Sequence, residues 1–185
     1  MIKNFKDIYN FDKKIALKSE TDTISFANLY SYSKKLSKIF NHNCLVVVVT
    51  DNKIELIALY LILLTFKCKI MLISKEYSKF NELIKNFKPS FIINVPIKSS
   101  DYLDYGVFKK IKICKRITPI KYKINRYSKI LIATSGTTGD SKFVKLSKSN
   151  LLHNANGIIK SLIINKESYP ITTMPLSYSY GLSII

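Results

Sequence analysis

The chain has 185 residues, 47% of them hydrophobic, with five glycines and five prolines, which is enough apolar material for one real core and argues against disorder. Thirty Lys and Arg against twelve Asp and Glu leave a formal net charge of +18, so a polyanion partner has to be weighed. Cys44, Cys68 and Cys114 are widely spaced, with no C-x-x-C pair, which argues against a metal site or disulfide framework and for a reduced, cytoplasmic setting.

After an N-terminal lead, "TISFANLYSYSKKLSKIF" predicts a helix capped by Ser25, with Phe26, Leu29, Tyr30, Leu36 and Phe40 on one face. "CLVVVVT" at 44–50 is a β-branched run, short enough for a buried strand. Asn52 and Glu55 then stand at capping-box spacing before "IELIALYLILLTF". That run contains Glu55 and falls short of the eighteen or so apolar residues a membrane span needs, so it predicts a fully buried helix. The opening "MIKNFKDIYNFDKK" has no apolar core for a signal sequence, and no membrane association is expected.

"KIMLIS" at 69–74 predicts a second strand, "YSKFNELIKNF" a helix stopped by Pro89, and "SFIIN" at 90–94 a third strand. This alternation implies an α/β fold, a mostly parallel sheet with flanking helices. Residues 95–129 read as irregular and as the place for an internal boundary. Within them, 109–129 carry nine basic residues, no acid and two tyrosines, the one stretch on which a nucleic-acid-binding reading could rest. The other lysines are scattered, and a solvated surface accounts for them better, so nucleic acid is not the expected partner.

The strand "KILIA" feeds "TSGTTGDSK". Gly136 and Gly139 permit positive φ, and the hydroxyls of Thr134, Ser135, Thr137, Thr138 and Ser141 add donors to those of the backbone. With Lys142 beside it, such a loop can wrap the oxyanions of a nucleotide's phosphates. It is not a Walker A loop: the glycines are three apart, Ser141 precedes the lysine and Phe143 follows it. "KFVKL" then alternates as a strand does, so the loop joins two strands; a ligand-free Ser/Thr/Gly hairpin is the competing reading.

"TSGTTGDSK" resembles the phosphate-binding loop of the adenylate-forming (AMP-binding) enzymes: acyl-CoA synthetases, peptide-synthetase adenylation domains and luciferases. The match runs from Thr134 through Gly139 and resumes at Lys142; Ser141 stands where proline is usual and Phe143 where glycine is usual. "KLSKSNLLHNANGI" looks like the turn and helix that follow, with Leu151, Ala155, Ile158 and Leu162 on its apolar face and His153 on its polar one. "TTMPLSYSYGLS" resembles the second signature, with Tyr178 where acyl-CoA synthetases often carry histidine, followed by Tyr180 and Gly181. The helix near residue 30 and the strand, helix and strand of 46–74 are similar to weaker signals of the same family, with Lys67 and Cys68 in a turn that is usually Ala-Gly.

The resemblance implies the N-terminal portion, residues 1–185, of the large domain of such an enzyme: an ATP- and Mg2+-dependent ligase that activates a carboxylate as its acyl-adenylate and passes it to a thiol such as coenzyme A. It implies that Thr134, Ser135, Gly136, Thr137, Thr138, Gly139 and Lys142 hold phosphates, and that Tyr178, Tyr180 and Gly181 line the substrate pocket. The magnesium acid, the ribose aspartate and the lid with its catalytic lysine are implied to lie elsewhere, so the expectation is a fragment, inactive alone, with a separate C-terminal half or a carrier protein as partner. A non-catalytic nucleotide-binding remnant is the alternative.

Overall fold

The computed structural model describes residues 14–122, 127–133, 142–165 and 167–184. Among them, β1 (Ile15–Lys18) and β2 (Thr23–Ser25) form a small antiparallel pair ahead of α1 (Phe26–Phe40). The α1 cap is reciprocal: Ser25 Oγ accepts from the Asn28 amide at 3.1 Å, and Asn28 Oδ1 accepts from the Ser25 amide at 3.1 Å. Leu29, Leu36 and Phe40 turn inward as expected, whereas Tyr30 is 45% exposed, with the Lys34 ammonium 4.5 Å above its ring. The inward stripe is therefore narrower than the sequence suggested.

The main sheet has seven strands among the described residues, in the order β6-β7-β5-β3-β4-β8-β9. Its centre is parallel: β3 (Leu45–Val49) lies between β5 (Phe91–Ile93) and β4 (Lys69–Ile73), and β4 also pairs with β8 (Ser128–Ala133). These strands read as unbroken apolar runs because both faces are covered. Val46, Val48, Ile70 and Leu72 face α1 and α2 (Ile54–Thr65), while Val47, Met71 and Ile73 face α3 (Phe80–Phe87). Nine of the twelve residues of α2 are buried, which explains a helix that is apolar all round. No helix among the described residues is long and apolar enough to cross a membrane.

Residues 95–129, expected to be irregular, hold a β-hairpin. β6 (Tyr102–Phe108) and β7 (Ile111–Arg116) pair antiparallel, and β7 extends the sheet beyond β5. Ile111 and Ile113 face the core on one side of the sheet and Cys114 is buried on the other, while Lys112 is half-buried and Lys115 exposed, so both faces are partly covered and no simple alternation shows through the lysines. Much of the basic stretch is engaged within the chain: Lys112 with Asp104 at 2.8 Å, Arg116 with Asp101 at 3.2 Å, and Lys115 over the Tyr105 ring.

At the opposite edge β9 (Phe143–Ser147) pairs antiparallel with β8, Ala133 opposite Phe143, so the sequence 134–142 does join two strands. α4 (Lys148–Ser161) opens on a second reciprocal cap, Ser147 with Asn150. Its expected apolar face is only half used. Leu151 packs on the core and Ile158 is half-buried, but Ala155 is exposed and Leu162, just past the helix, is 69% exposed. His153 is exposed, as read from its place on the polar face. A short α5 (Ser179–Ile184) packs against α4, with Asn154 Nδ2 donating to Ser183 Oγ at 3.1 Å.

Candidate functional site at the carboxyl edge of the parallel strands

Adjacent strands β3 and β4 send their chains to opposite faces, β3 into α2 and β4 into α3. Open α/β sheets place ligands outside the carboxyl ends of such strands. β8 ends beside β4 on the same edge, at Ala133.

Polar groups tie the edge together. The Thr50 amide donates to the Ile73 carbonyl at 2.7 Å and its hydroxyl to the same oxygen at 3.1 Å, joining β3 to β4. Asn94, in the left-handed region at φ 70°, donates from Nδ2 to the Val49 carbonyl at 2.9 Å, joining β5 to β3. Asp51 Oδ2 accepts from Lys75 Nζ at 2.7 Å and lies 3.2 Å from Lys53 Nζ. Burial acts to raise the Asp51 pKa, but these two lysines outweigh it and hold the carboxyl below the usual aspartate range. It stays a carboxylate at neutral pH, clasping the two loops.

Asn52 does not cap α2 through the expected box. Lys53 is the N-cap and makes no side-chain cap bond. Instead Asn52 Nδ2 donates to the Thr173 carbonyl at 3.0 Å, 121 residues along the chain. This contact brings the segment carrying Tyr178, Tyr180 and Gly181 to the end of β3. Leu176, fully buried in the core, pins the same segment from below.

Of the residues assigned from the loop's resemblance, Thr134, Ser135, Gly136, Thr137, Thr138 and Gly139 lie outside the described residues. Lys142 is described: it is exposed and directly precedes β9. The next residue accounts for one departure from the expected loop. Phe143 packs its ring against Phe87 of α3 at 5.4 Å and Tyr77 at 6.5 Å, so the aromatic that stands in the place of glycine anchors the loop's exit on the α3 face of the sheet. Tyr178 and Tyr180 are 50% and 67% exposed. Gly181 is buried: a Cβ there would collide with the Pro175 carbonyl and come within 2.7 Å of that of Met174, so no other residue fits without moving α5.

The residues missed from sequence, Thr50, Asp51, Asn94 and the true role of Asn52, share one signal. Each is a polar residue within two or three positions of the carboxyl end of a buried strand. Among the described residues no group of three or more His, Cys, Asp and Glu could hold a metal ion, so these residues do not by themselves make a seat for the magnesium that the loop's resemblance implies.

No protein-family model and no curated protein matches the sequence. Solved structures do match the fold. The chain superimposes on o-succinylbenzoate CoA synthetase (MenE) of Bacillus subtilis, in complex with the acyl-adenylate intermediate OSB-AMP, with TM-score 0.73 and 19% identity over 97% of this chain and 51% of that one. It superimposes on apo MatB of Rhodopseudomonas palustris with TM-score 0.70 and 15% identity, over 97% of this chain and 41% of MatB. An ATP-bound RpMatB-BxBclM chimera gives TM-score 0.74 at 17% identity, over the whole of this chain and 42% of the chimera. The fold is thus that of the CoA-synthetase structures, as the loop's resemblance implied. The chain spans about half the length, or somewhat less, of the structures it matches.

Proposed function

We propose that this chain supplies the phosphate-holding part of an ATP-dependent, adenylate-forming ligase. The observation that supports this reading is the end of β8: it runs parallel to β4 and stops at Ala133, where "TSGTTGDSK" follows in the sequence, in a fold shared with ATP-bound and acyl-adenylate-bound synthetases. The reaction is activation of a small carboxylate by ATP, with Mg2+, to an acyl-adenylate and pyrophosphate, followed by transfer to a thiol such as coenzyme A. In it Ser135, Gly136, Thr137, Thr138, Gly139 and Lys142 offer donors and positive charge to the phosphates, with Thr134 leading into the loop. Tyr178, Tyr180 and Gly181 border the acyl and nucleotide pocket. The residues that hold magnesium and ribose, and those that move a lid, come from outside this chain, so it does not turn over alone.

ATP binding to the purified chain tests the assignment. Thr137→Ala and Lys142→Ala should each weaken binding about tenfold or more, since a hydrogen bond to a charged group is worth about 1.5 to 3 kcal/mol. His153→Ala, on the exposed face of α4, should leave binding unchanged. Equal affinity in all three variants would remove the phosphate cradle and leave the loop as a turn. Carboxylate-dependent exchange of pyrophosphate into ATP should be absent from the chain by itself; robust exchange would overturn the division of labour.

A further inference from the structure

α2 ends without the device helices commonly use. Its last carbonyls need donors, and a left-handed glycine just past the end usually supplies them by folding its own backbone back. No glycine follows α2; Phe66 is extended at φ −90°, ψ 175°, and its amide reaches only the Leu63 carbonyl. Besides that amide and the Cys68 thiol, which reaches the Leu63 carbonyl at 3.6 Å, the donor comes from 61 to 66 residues away. Lys129, in β8, is 2% exposed and donates from Nζ to the carbonyls of Leu63 at 2.7 Å, Phe66 at 2.8 Å and Cys68 at 2.7 Å. A lysine in a strand of the basic stretch is thus no surface charge; it is a cation held by converging carbonyl dipoles at the negative end of a helix.

We propose that the Leu63, Phe66 and Cys68 carbonyls form a monovalent-cation site of the ammonium type, that the Lys129 side chain is its resident ion, and that this tether positions β8, the strand from which residues 134–142 leave. Three carbonyls call for three N–H donors, which only the protonated amine has. Burial pulls the Lys129 pKa down to about 8, with the Lys148 and Lys69 charges pushing the same way. At neutral pH the amine therefore remains charged. The thiols are neutral there, as burial pushes Cys44 up to about 12 and raises Cys68 as well. The carbonyl cage itself is what compensates the buried charge. The Lys67-Cys68 turn, which departs from Ala-Gly, sits at this cage.

Cutting the side chain back should leave the site open to a free ion of the same chemistry. Lys129→Ala should lower the thermal midpoint by roughly 5–15 °C, since the buried Phe66 and Cys68 carbonyls lose the Lys129 donor while Leu63 keeps the Phe66 amide and the Cys68 thiol. Propylammonium chloride should restore part of that loss in a saturable way, while tetramethylammonium chloride at equal ionic strength, a cation without N–H groups, should not. Lys129→Met, which keeps an unbranched side chain of similar length but brings no donor, should be destabilised and unresponsive to either salt. A Lys129→Met protein as stable as wild type, or equal responses of Lys129→Ala to the two salts, would overturn the proposal. Should the variants fail to fold, the wild-type chain decides: labelled Lys129 should give a slowly exchanging ammonium resonance with through-hydrogen-bond couplings to the three carbonyls. A fast-exchanging, uncoupled ammonium would rule the site out.

Discussion

The parallel centre of the sheet and the region after β8 are built on opposite plans. In the centre, β3, β4 and β5 are buried along their whole length, and α2 is enclosed between the sheet and α1. After β8, α4 has no fully buried residue, and Leu162, Ile163 and Ile171 are 69%, 84% and 81% exposed. Both regions have well-formed local elements; α4 has the better cap of the two helices, since α2 makes no side-chain cap bond. Capping decides that a helix starts, whereas burial decides how much it contributes to stability. The centre completes its core within the chain, while the region after β8 is tied to it by the β9 ladder, Phe143, the half-buried Leu151, Leu176 and the Asn52 to Thr173 bond.

The largest expected effect sets these plans against each other. Leu59→Ala, at a fully buried position of α2, should cost about 2–5 kcal/mol in urea unfolding, while Leu162→Ala should cost no more than about 0.5 kcal/mol. Comparable losses at the two sites would break the contrast. An intermediate effect is expected for Gly181→Ala, which forces α5 off the Met174 and Pro175 carbonyls at about 1–3 kcal/mol of overpacking. Hydrogen exchange should show the loss confined to residues 173–184; faster exchange in α2 would mean that the two regions unfold together. Asn52→Ala should have the smallest effect, about 1 kcal/mol, again read as lost protection after Thr173 with the α2 amides unchanged.

Most of the centre was legible because its signals are local. β-branched runs, an apolar helix and the positions of Pro89 and Ser25 gave β3, α2, β4, α3 and α1 close to their observed bounds, and the alternation of "KFVKL" gave β9. What failed to read depends on distant partners. Asn52 stands at capping-box spacing, but its side chain answers to a carbonyl 121 residues away, which no local spacing can show. β6 and β7 were hidden because their outward positions are lysines and acids whose partners lie across the hairpin. Lys129 looked like one more basic residue, because the carbonyls that surround it come from another element. At the candidate site, Gly181 was picked out from its motif as a pocket residue, whereas its visible role is steric, beneath the Pro175 and Met174 carbonyls; the clasp of Thr50, Asp51 and Asn94 carried no motif at all.

The hairpin of β6 and β7 also bears on how the molecule behaves in a crowded solution. Among the described residues β6 is the last strand on its side of the sheet, and Leu103, Tyr105 and Val107 leave it with 43%, 42% and 63% exposure. A straight strand of that kind is a template on which another chain can polymerise. β6 is not straight: its register with β7 slips between Asp104 and Gly106, and Gly106 has a φ of 136°, open to glycine and strained for other residues. The Asp104 carboxylate, held by Lys112, sits at the same irregularity and sets a charge on the rim. A bulge and a charge together deny an incoming strand a continuous ladder, so this small irregularity protects a lysine-rich, tyrosine-rich chain against edge-to-edge aggregation.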